Sequence, residues 1–427
     1  MTLELNRRHF LGSAALGAGL VSLPRVAMAR EMGPALWGQV PLSLQSFVDK
    51  KYVPGAVGLI GRGTAAPSVF AAGALGFDNP APVSADSLFR CYSMTKPVTG
   101  MAAMMLIEDG KLGLDQNIAD FIRGFAAPRV LTDPANSLDS RPAARGITVR
   151  NLLTHTAGLG YTIVTKGPLL EAYMKLGLTP AAVSRKPIPG QPDIKTAPSL
   201  AEFAARLATL PLIADPGTVW SYSVSLDLLG RVIELASGKA FDAFLQDRIF
   251  TPLGMTSTYF QVPEAEKARL TTNYFGASFG SFPIDPGRDS VYLDKPAFPF
   301  GGAGLVSSPR DYDRFLQMLM GEGAIGNTRI MSRETAKLAM SNLVPPGTRM
   351  ESFVKGQGFG AGGRVTIAPR DTGEGLGSFG WGGAASTIGW VDRTKNVRAS
   401  GWSQIMTMSD QPFVEGFTKA VYQSLGA

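Results

Sequence analysis

Apolar positions recur at helical spacing in some stretches of the chain and run as short strand-like blocks in others. Leu44, Phe47 and Val48 predict a helix closed by Pro54-Gly55, and residues 56–60 and 68–74 follow as two strands around a Gly/Thr/Pro turn. Val98, Met101, Ala102, Met105 and Leu106 predict a largely buried helix over 94–109, which Gly110 stops. Ser199 and Glu202 form a capping box ahead of Leu200, Phe203, Leu207 and Leu210 on one face. Another helix spans 226–235 and ends at Gly238, and Ser308-Pro309 opens one that runs through Phe315 to Met320. Residues 387–392 and 396–402 predict a hairpin about Arg393-Thr394-Lys395. Phe413, Phe417 and Val421 mark a closing helix. Two segments rich in Pro and polar residues, 127–146 and 186–198, read as long loops, either functional lids or tolerated insertions. This order predicts an α+β fold, a sheet domain with a helical insertion, and no internal repeat is visible.

The first 29 residues stand apart from that pattern. Asn6-Arg7-Arg8-His9-Phe10-Leu11 is a twin-arginine sequence, Gly12 to Leu23 is a short apolar run, and Ala27-Met28-Ala29 is a cleavage site of the A-x-A kind. A run that short falls below the ~20 residues that span a bilayer, so the expectation is a removable signal peptide and no stable membrane anchor. Export by the twin-arginine route would place the protein in the periplasm or outside the cell. The chain carries a net charge of +7, and losing Arg7, Arg8, Arg25 and Glu4 would leave +5. No dense basic run follows, which argues against nucleic acid as a partner. Cys91 is the single cysteine, so no intramolecular disulfide can form, and His155 is the only histidine after the leader. A histidine-built metal site is therefore not expected, and neither a metal nor any other cofactor is called for.

Three short elements carry chemistry. Ser93-Met94-Thr95-Lys96 is an S-x-x-K sequence at the start of the buried helix, with serine and lysine one turn apart on one face. A serine hydroxyl needs a neighbour to take its proton, and a lysine can do so only when neutral, a state that burial favours. The helix start would also aim backbone N–H groups at a developing oxyanion. Taken alone, the pattern equally fits a helix-capping serine with a solvated lysine. Trp220-Ser221-Tyr222-Ser223 follows the turn Asp215-Pro216-Gly217 and precedes a helix, so Tyr222 reads either as a proton relay or as a ring packed under a loop. Gly380-Trp381-Gly382-Gly383-Ala384 leads into a strand, and its glycines suit an edge that a ligand approaches or a bulge. Two further matches are set aside. Residues 276–280 fit the G-x-S-x-G elbow, but His155 precedes Ser278 where that fold needs a later histidine. Residues 358–363 and 375–380 fit G-x-G-x-x-G without the following helix, and read as turns.

Taken in order, Ser93-x-x-Lys96, Leu152-Leu153-Thr154-His155-Thr156-Ala157-Gly158-Leu159, Tyr222-Ser223 and Trp381-Gly382-Gly383 resemble the class C β-lactamase and penicillin-binding-protein superfamily, closest to family VIII carboxylesterases. The resemblance covers roughly residues 40–420. It implies a β-lactamase-like domain over 30–427, an antiparallel sheet flanked by helices (about 40–120 and 300–427) with a mostly helical part at about 120–300. It further implies Ser93 as acylated nucleophile, Lys96 as base and Tyr222 as proton shuttle. The N–H groups of Ser93 and Ala384 would form the oxyanion hole, with Trp381, Gly382 and Gly383 lining the substrate pocket and His155 a scaffold residue. Two departures bear on substrate. Val224 stands where β-lactamases carry an asparagine, and Trp381-Gly382-Gly383 replaces their Lys-Thr-Gly. Losing that lysine removes a charge-assisted contact to a substrate carboxylate, worth about 1.5–3 kcal/mol. The expected substrate is therefore a small-molecule carboxylic ester. The alternatives are a β-lactam, a D-amino peptide or amide, acyl transfer, and an inactive homologue that binds cell wall. Oligomeric state is not legible.

Overall fold

The computed structural model describes residues 36–179, 181–185, 196–277, 280–351, 353, 355–407 and 411–426. The leader, the stretch 186–195 of the second long loop and Ser278 of the elbow-like match lie outside the described residues. Helix α1 (Gln39–Asp49) leads into strands β1 (Gly55–Arg62), β2 (Ser68–Gly76) and β3 (Asn79–Pro82). After the buried helix α2 (Thr95–Glu108) come α3 (Leu200–Leu207), α4 (Ser225–Ser237) and α5 (Pro309–Met320). Strands β4 (Gln357–Phe359), β5 (Arg364–Thr366), β6 (Phe379–Gly383), β7 (Thr387–Asp392) and β8 (Val397–Trp402) precede the last helix, α6 (Pro412–Ser424). The eight strands form one antiparallel sheet in the order β4-β5-β6-β7-β8-β1-β2-β3.

The sheet centre is buried on both faces, which explains why its strands read as continuous apolar runs. Ala56, Ile60, Ile388, Trp390, Val397 and Ala399 face one way, into a layer with Leu44 of α1 and Phe413, Phe417 and Val421 of α6. The Phe417 ring lies directly over Gly58 and Gly401. Val57, Leu59, Val391 and Trp402 face the other way, into the main core with Met101, Met105, Phe315 and the helices of the middle segment. Helix α2 is buried from Thr95 through Leu106, apolar nearly all round, and so forms the axis of that core.

A smaller three-stranded sheet fixes the start of α2. Phe89–Arg90 pairs with Val306–Ser307, which pairs with Thr258–Tyr259. Arg90 is fully buried there, ion-paired to Asp285 at 2.5 Å and donating to the Thr271 carbonyl and to Ser290 Oγ. The Cys91 N–H donates to the Leu305 carbonyl (2.8 Å), and the Leu305 N–H donates to Thr95 Oγ1 (3.1 Å). The segments carrying Ser93 and Gly302 thus run side by side. The 127–146 stretch contains a hairpin (Arg129–Leu131 with Ser140–Pro142), and Asn273–Ala277 pairs with Gly280–Asp285. The first had read as loop, because its strands have three residues each and the second ends in proline.

Candidate active site

Ser93 sits in a single 3-10 turn, Tyr92–Met94, that feeds α2. Tyr92 enters the turn at φ 43°, a left-handed conformation costly for a bulky side chain. It is held there by burial and by Asn273, whose side-chain amide donates to the phenol at 2.9 Å. Lys96 follows in the first turn of α2 with no solvent exposure. Its Nζ donates to Ser93 Oγ (3.1 Å) and to the Gly302 carbonyl (2.7 Å). The Tyr161 and Tyr222 rings flank Nζ, with centroids 5.6 and 4.6 Å away. The capping reading with a solvated lysine is thereby excluded.

Tyr222 also reaches the serine. The segment before it is strung between two backbones: Trp220 N–H donates to the Arg349 carbonyl (2.8 Å) and Ser221 N–H to that of His155 (3.0 Å). The phenol donates to Ser93 Oγ at 2.7 Å and accepts from Trp381 Nε1 at 3.2 Å. Ser93 Oγ therefore receives two side-chain donors, and Tyr222 is itself held by a third group.

Trp381 lies on β6, and the expectation of an edge strand there needs a correction. Strand β6 is interior, between β5 and β7, but β5 pairs only with Phe379 and Gly380. The Trp381–Gly383 half is free of β5 and so is open on one side. A side chain at Gly383 would strike the Cys91 carbonyl at 2.3 Å, so only glycine lets this strand approach the Ser93 turn so closely. Gln411 Nε2 donates to the carbonyls of Gly383 and Ala384 (3.3 and 3.4 Å). Because the peptide is trans and planar, the Ala384 N–H points away from Gln411. Trp381, Gly382 and Ala384 are all partly exposed at this opening.

His155 lies under Tyr222, ring centroids 4.7 Å apart. Its Nδ1 accepts from the Ser223 N–H (3.2 Å) and lies 2.9 Å from Ser223 Oγ, which places the proton on Nε2. Nε2 is buried with no hydrogen-bond partner among the described residues. Burial, reinforced by the charge of Lys96, holds this imidazole well below its ordinary value, so it stays neutral. It packs the site and does not touch Ser93. Around it stands an aromatic wall: Trp220 over Phe353 (4.3 Å), Phe359 against Trp381 (5.1 Å) and Phe353 stacked on Trp381 (6.1 Å). Val224, in the asparagine position, is wholly buried and donates its N–H to the Gly160 carbonyl.

A sequence profile of the Beta-lactamase family matches residues 44–416. The chain belongs to the Beta-lactamase family. It is 32% identical over 366 residues to Protein Rv1367c of Mycobacterium tuberculosis (strain ATCC 25618 / H37Rv), covering 83% of this chain and 86% of that protein. A lovastatin esterase of Penicillium rubens is 31% identical over 353 residues, 77% of this chain and 82% of the relative. Among solved structures, EstCE1, a hydrolase with promiscuous acyltransferase activity, superposes with a TM-score of 0.73 at 25% identity, covering 91% of this chain and 99% of EstCE1. The resemblance to the carboxylesterase branch stands, as does the antiparallel sheet flanked by helices. This β-lactamase-fold family has esterase and acyltransferase members.

Three groups at the site had escaped notice in the sequence: the Gly302 carbonyl, Tyr161 and Asp227. Asp227 had left a trace, an acid between Leu226 and Leu228 on an otherwise inward-facing turn. Gly302 had left none, since a backbone acceptor has no residue signature. Among the described residues no group of three His, Cys, Asp or Glu side chains is placed to hold a metal.

Proposed function

We propose that this protein is an exported carboxylesterase working through an acyl-enzyme on Ser93. Lys96 takes the Ser93 proton as Oγ attacks the ester carbonyl. Tyr222 gives its phenolic proton to the leaving alkoxide and recovers one from the Lys96 ammonium, which returns to the neutral amine. Water then repeats the sequence on the acyl-enzyme, with the Ser93 and Ala384 N–H groups receiving the oxyanion in each half. The observation that supports this most directly is the convergence of Lys96 Nζ and Tyr222 OH on Ser93 Oγ, at 3.1 and 2.7 Å. An ester is favoured over a β-lactam because Trp381 places a neutral indole, its N–H already given to Tyr222, where a lysine would pair with a carboxylate. The surroundings are apolar as well. Phe353, Phe359 and Trp381 stand on one side, and beyond Tyr161 the chain exposes Ile163 (62%) and Val164 (47%).

The kinship with EstCE1 supports a second outcome on the same acyl-enzyme, transfer to an alcohol instead of water. The deciding assay compares p-nitrophenyl butyrate and nitrocefin, with and without an added alcohol, for the chain lacking residues 1–29 and for its Ser93→Ala variant. Ester cleavage that exceeds nitrocefin turnover and vanishes in the variant is expected. Dominant nitrocefin turnover would move the protein to the β-lactam side, and activity surviving in Ser93→Ala would require another nucleophile. Export is tested separately, by whether Arg7→Lys/Arg8→Lys retains the protein in the cytoplasm.

A further inference from the structure

Asp227 occupies the first turn of α4, five residues after Tyr222, and is 1% exposed. A carboxyl in such a place carries a desolvation cost that an asparagine would not. Its Oδ1 accepts the Gly302 N–H at 2.8 Å, and its Oδ2 has no hydrogen-bond partner among the described residues. Gly302 in turn gives its carbonyl to Lys96 Nζ at 2.7 Å. A side chain on Gly302 would strike Asp227 Oδ2 at 2.5 Å, so glycine permits the contact. Lys96 is fully buried and has no ion pair among the described residues, yet it lies within electrostatic reach of Asp227. The other titratable groups facing this pair are Tyr161, Tyr222 and the neutral His155, and the Phe300–Gly304 segment brings no titratable side chain.

We propose that Asp227 is a positioning residue, which holds the Gly302 carbonyl on Lys96 and supplies the negative charge that stabilises the ammonium formed when Lys96 takes the Ser93 proton. This rests on Lys96 being the base. A structural role alone does not account for the charge, because any neutral acceptor would hold the Gly302 N–H without an orphaned, desolvated oxygen. The logic is that of the carboxylate behind a catalytic histidine, which steadies the cation created in the transition state. Tyr222 and Asp227 therefore bracket one helix entrance, the first touching the nucleophile and the second steadying its base. Burial pushes the Asp227 carboxyl up to about 6, with Lys96 pulling it back. It is ionised above that point, so turnover should fall as pH drops through 6 and the counter-charge is lost.

The test compares Asp227→Asn and Asp227→Ala in ester hydrolysis from pH 5 to 9, with thermal melts and fluorophosphonate labelling of Ser93 alongside. Asp227→Asn keeps an acceptor for Gly302 and loses only the charge. It should fold, leave KM nearly unchanged, lower kcat by about ten- to a hundredfold, about 1.4–2.7 kcal/mol of barrier, and flatten the acid limb near pH 6. Asp227→Ala, which also frees Gly302, should be slower still. An Asn variant with wild-type kcat and an unchanged acid limb overturns the proposal, whatever the alanine variant does. Lys96→Ala separates the two readings. If Lys96→Ala is inert while Asp227→Asn is fully active, only the role of Asp227 is lost. If Lys96→Ala stays active, the base assignment itself falls.

Discussion

Tyr222→Phe removes one oxygen and leaves a ring that is already braced. The phenyl group would keep its packing on His155 (4.7 Å), Tyr161 (5.3 Å) and Trp381 (5.8 Å), so the fold should lose little. Two hydrogen bonds go: the 2.7 Å donor to Ser93 Oγ and the 3.2 Å acceptor for Trp381 Nε1. Tyr222 is partly exposed, so water can reach the orphaned indole, and the stability cost should stay near 1 kcal/mol. The kinetic cost should be much larger. A positioned proton donor contributes roughly 10²–10⁴-fold, about 3–5.5 kcal/mol of barrier. Stopped-flow hydrolysis of p-nitrophenyl butyrate separates acylation from deacylation, and both should slow, because the relay serves each half-reaction. A variant within threefold of wild type in both phases would show that Lys96 moves the proton unaided and that the 2.7 Å contact is only packing.

Trp381→Ala should broaden or shift preference along a series of p-nitrophenyl esters while barely moving the melting temperature; an unchanged profile with a large fall in melting temperature would make the indole a core residue instead. Asp227→Asn should stabilise the protein at neutral pH even as it slows it. The carboxyl rises from 3.8 unfolded to about 6 folded, so the native state binds the extra proton and is penalised as pH rises through that window. The gain should be nil below pH ~4, grow to about 3 kcal/mol above pH ~6, and be visible in denaturant melts at both pH values; equal gains at the two would refute it. Asp285→Ala leaves Arg90 charged and buried without its 2.5 Å partner, and should cost about 3–5 kcal/mol in chemical denaturation. A loss under 1 kcal/mol would mean that the Thr271 carbonyl and Ser290 suffice.

The parts of the fold legible in the sequence are those where one face of an element decides its burial. Helices α4, α5 and α6 show the 3.6 period and carry clear ends, such as Gly238 in the left-handed conformation and Ser308 accepting from the Asp311 N–H. Strands β1, β7 and β8 stood out as apolar runs for the opposite reason, burial on both faces. Strands β4 and β5 were hidden because each has three residues and lies among glycines. In the site, Ser93, Lys96, Tyr222 and Trp381 were legible because order along the chain restricts chance matches. The interior position of β6 was not, since pairing with β5 depends on residues whose spacing carries no period. Asp227 and Tyr161 were passed over because their meaning comes from what they face, Lys96, which folding alone brings near.

Helices α1 and α6 lie together on the face of the sheet opposite the main core, where the Gln39 N–H donates to Ser424 Oγ. Ser93 belongs to the other face. Both ends of the described fold therefore emerge side by side, behind the reaction chamber. A surface tether or fusion partner attached at either end should leave the cleft unobstructed, and a short linker joining the two would permit circular permutation. New ends could then be opened at the exposed 133–139 tip of the Arg129–Leu131 hairpin.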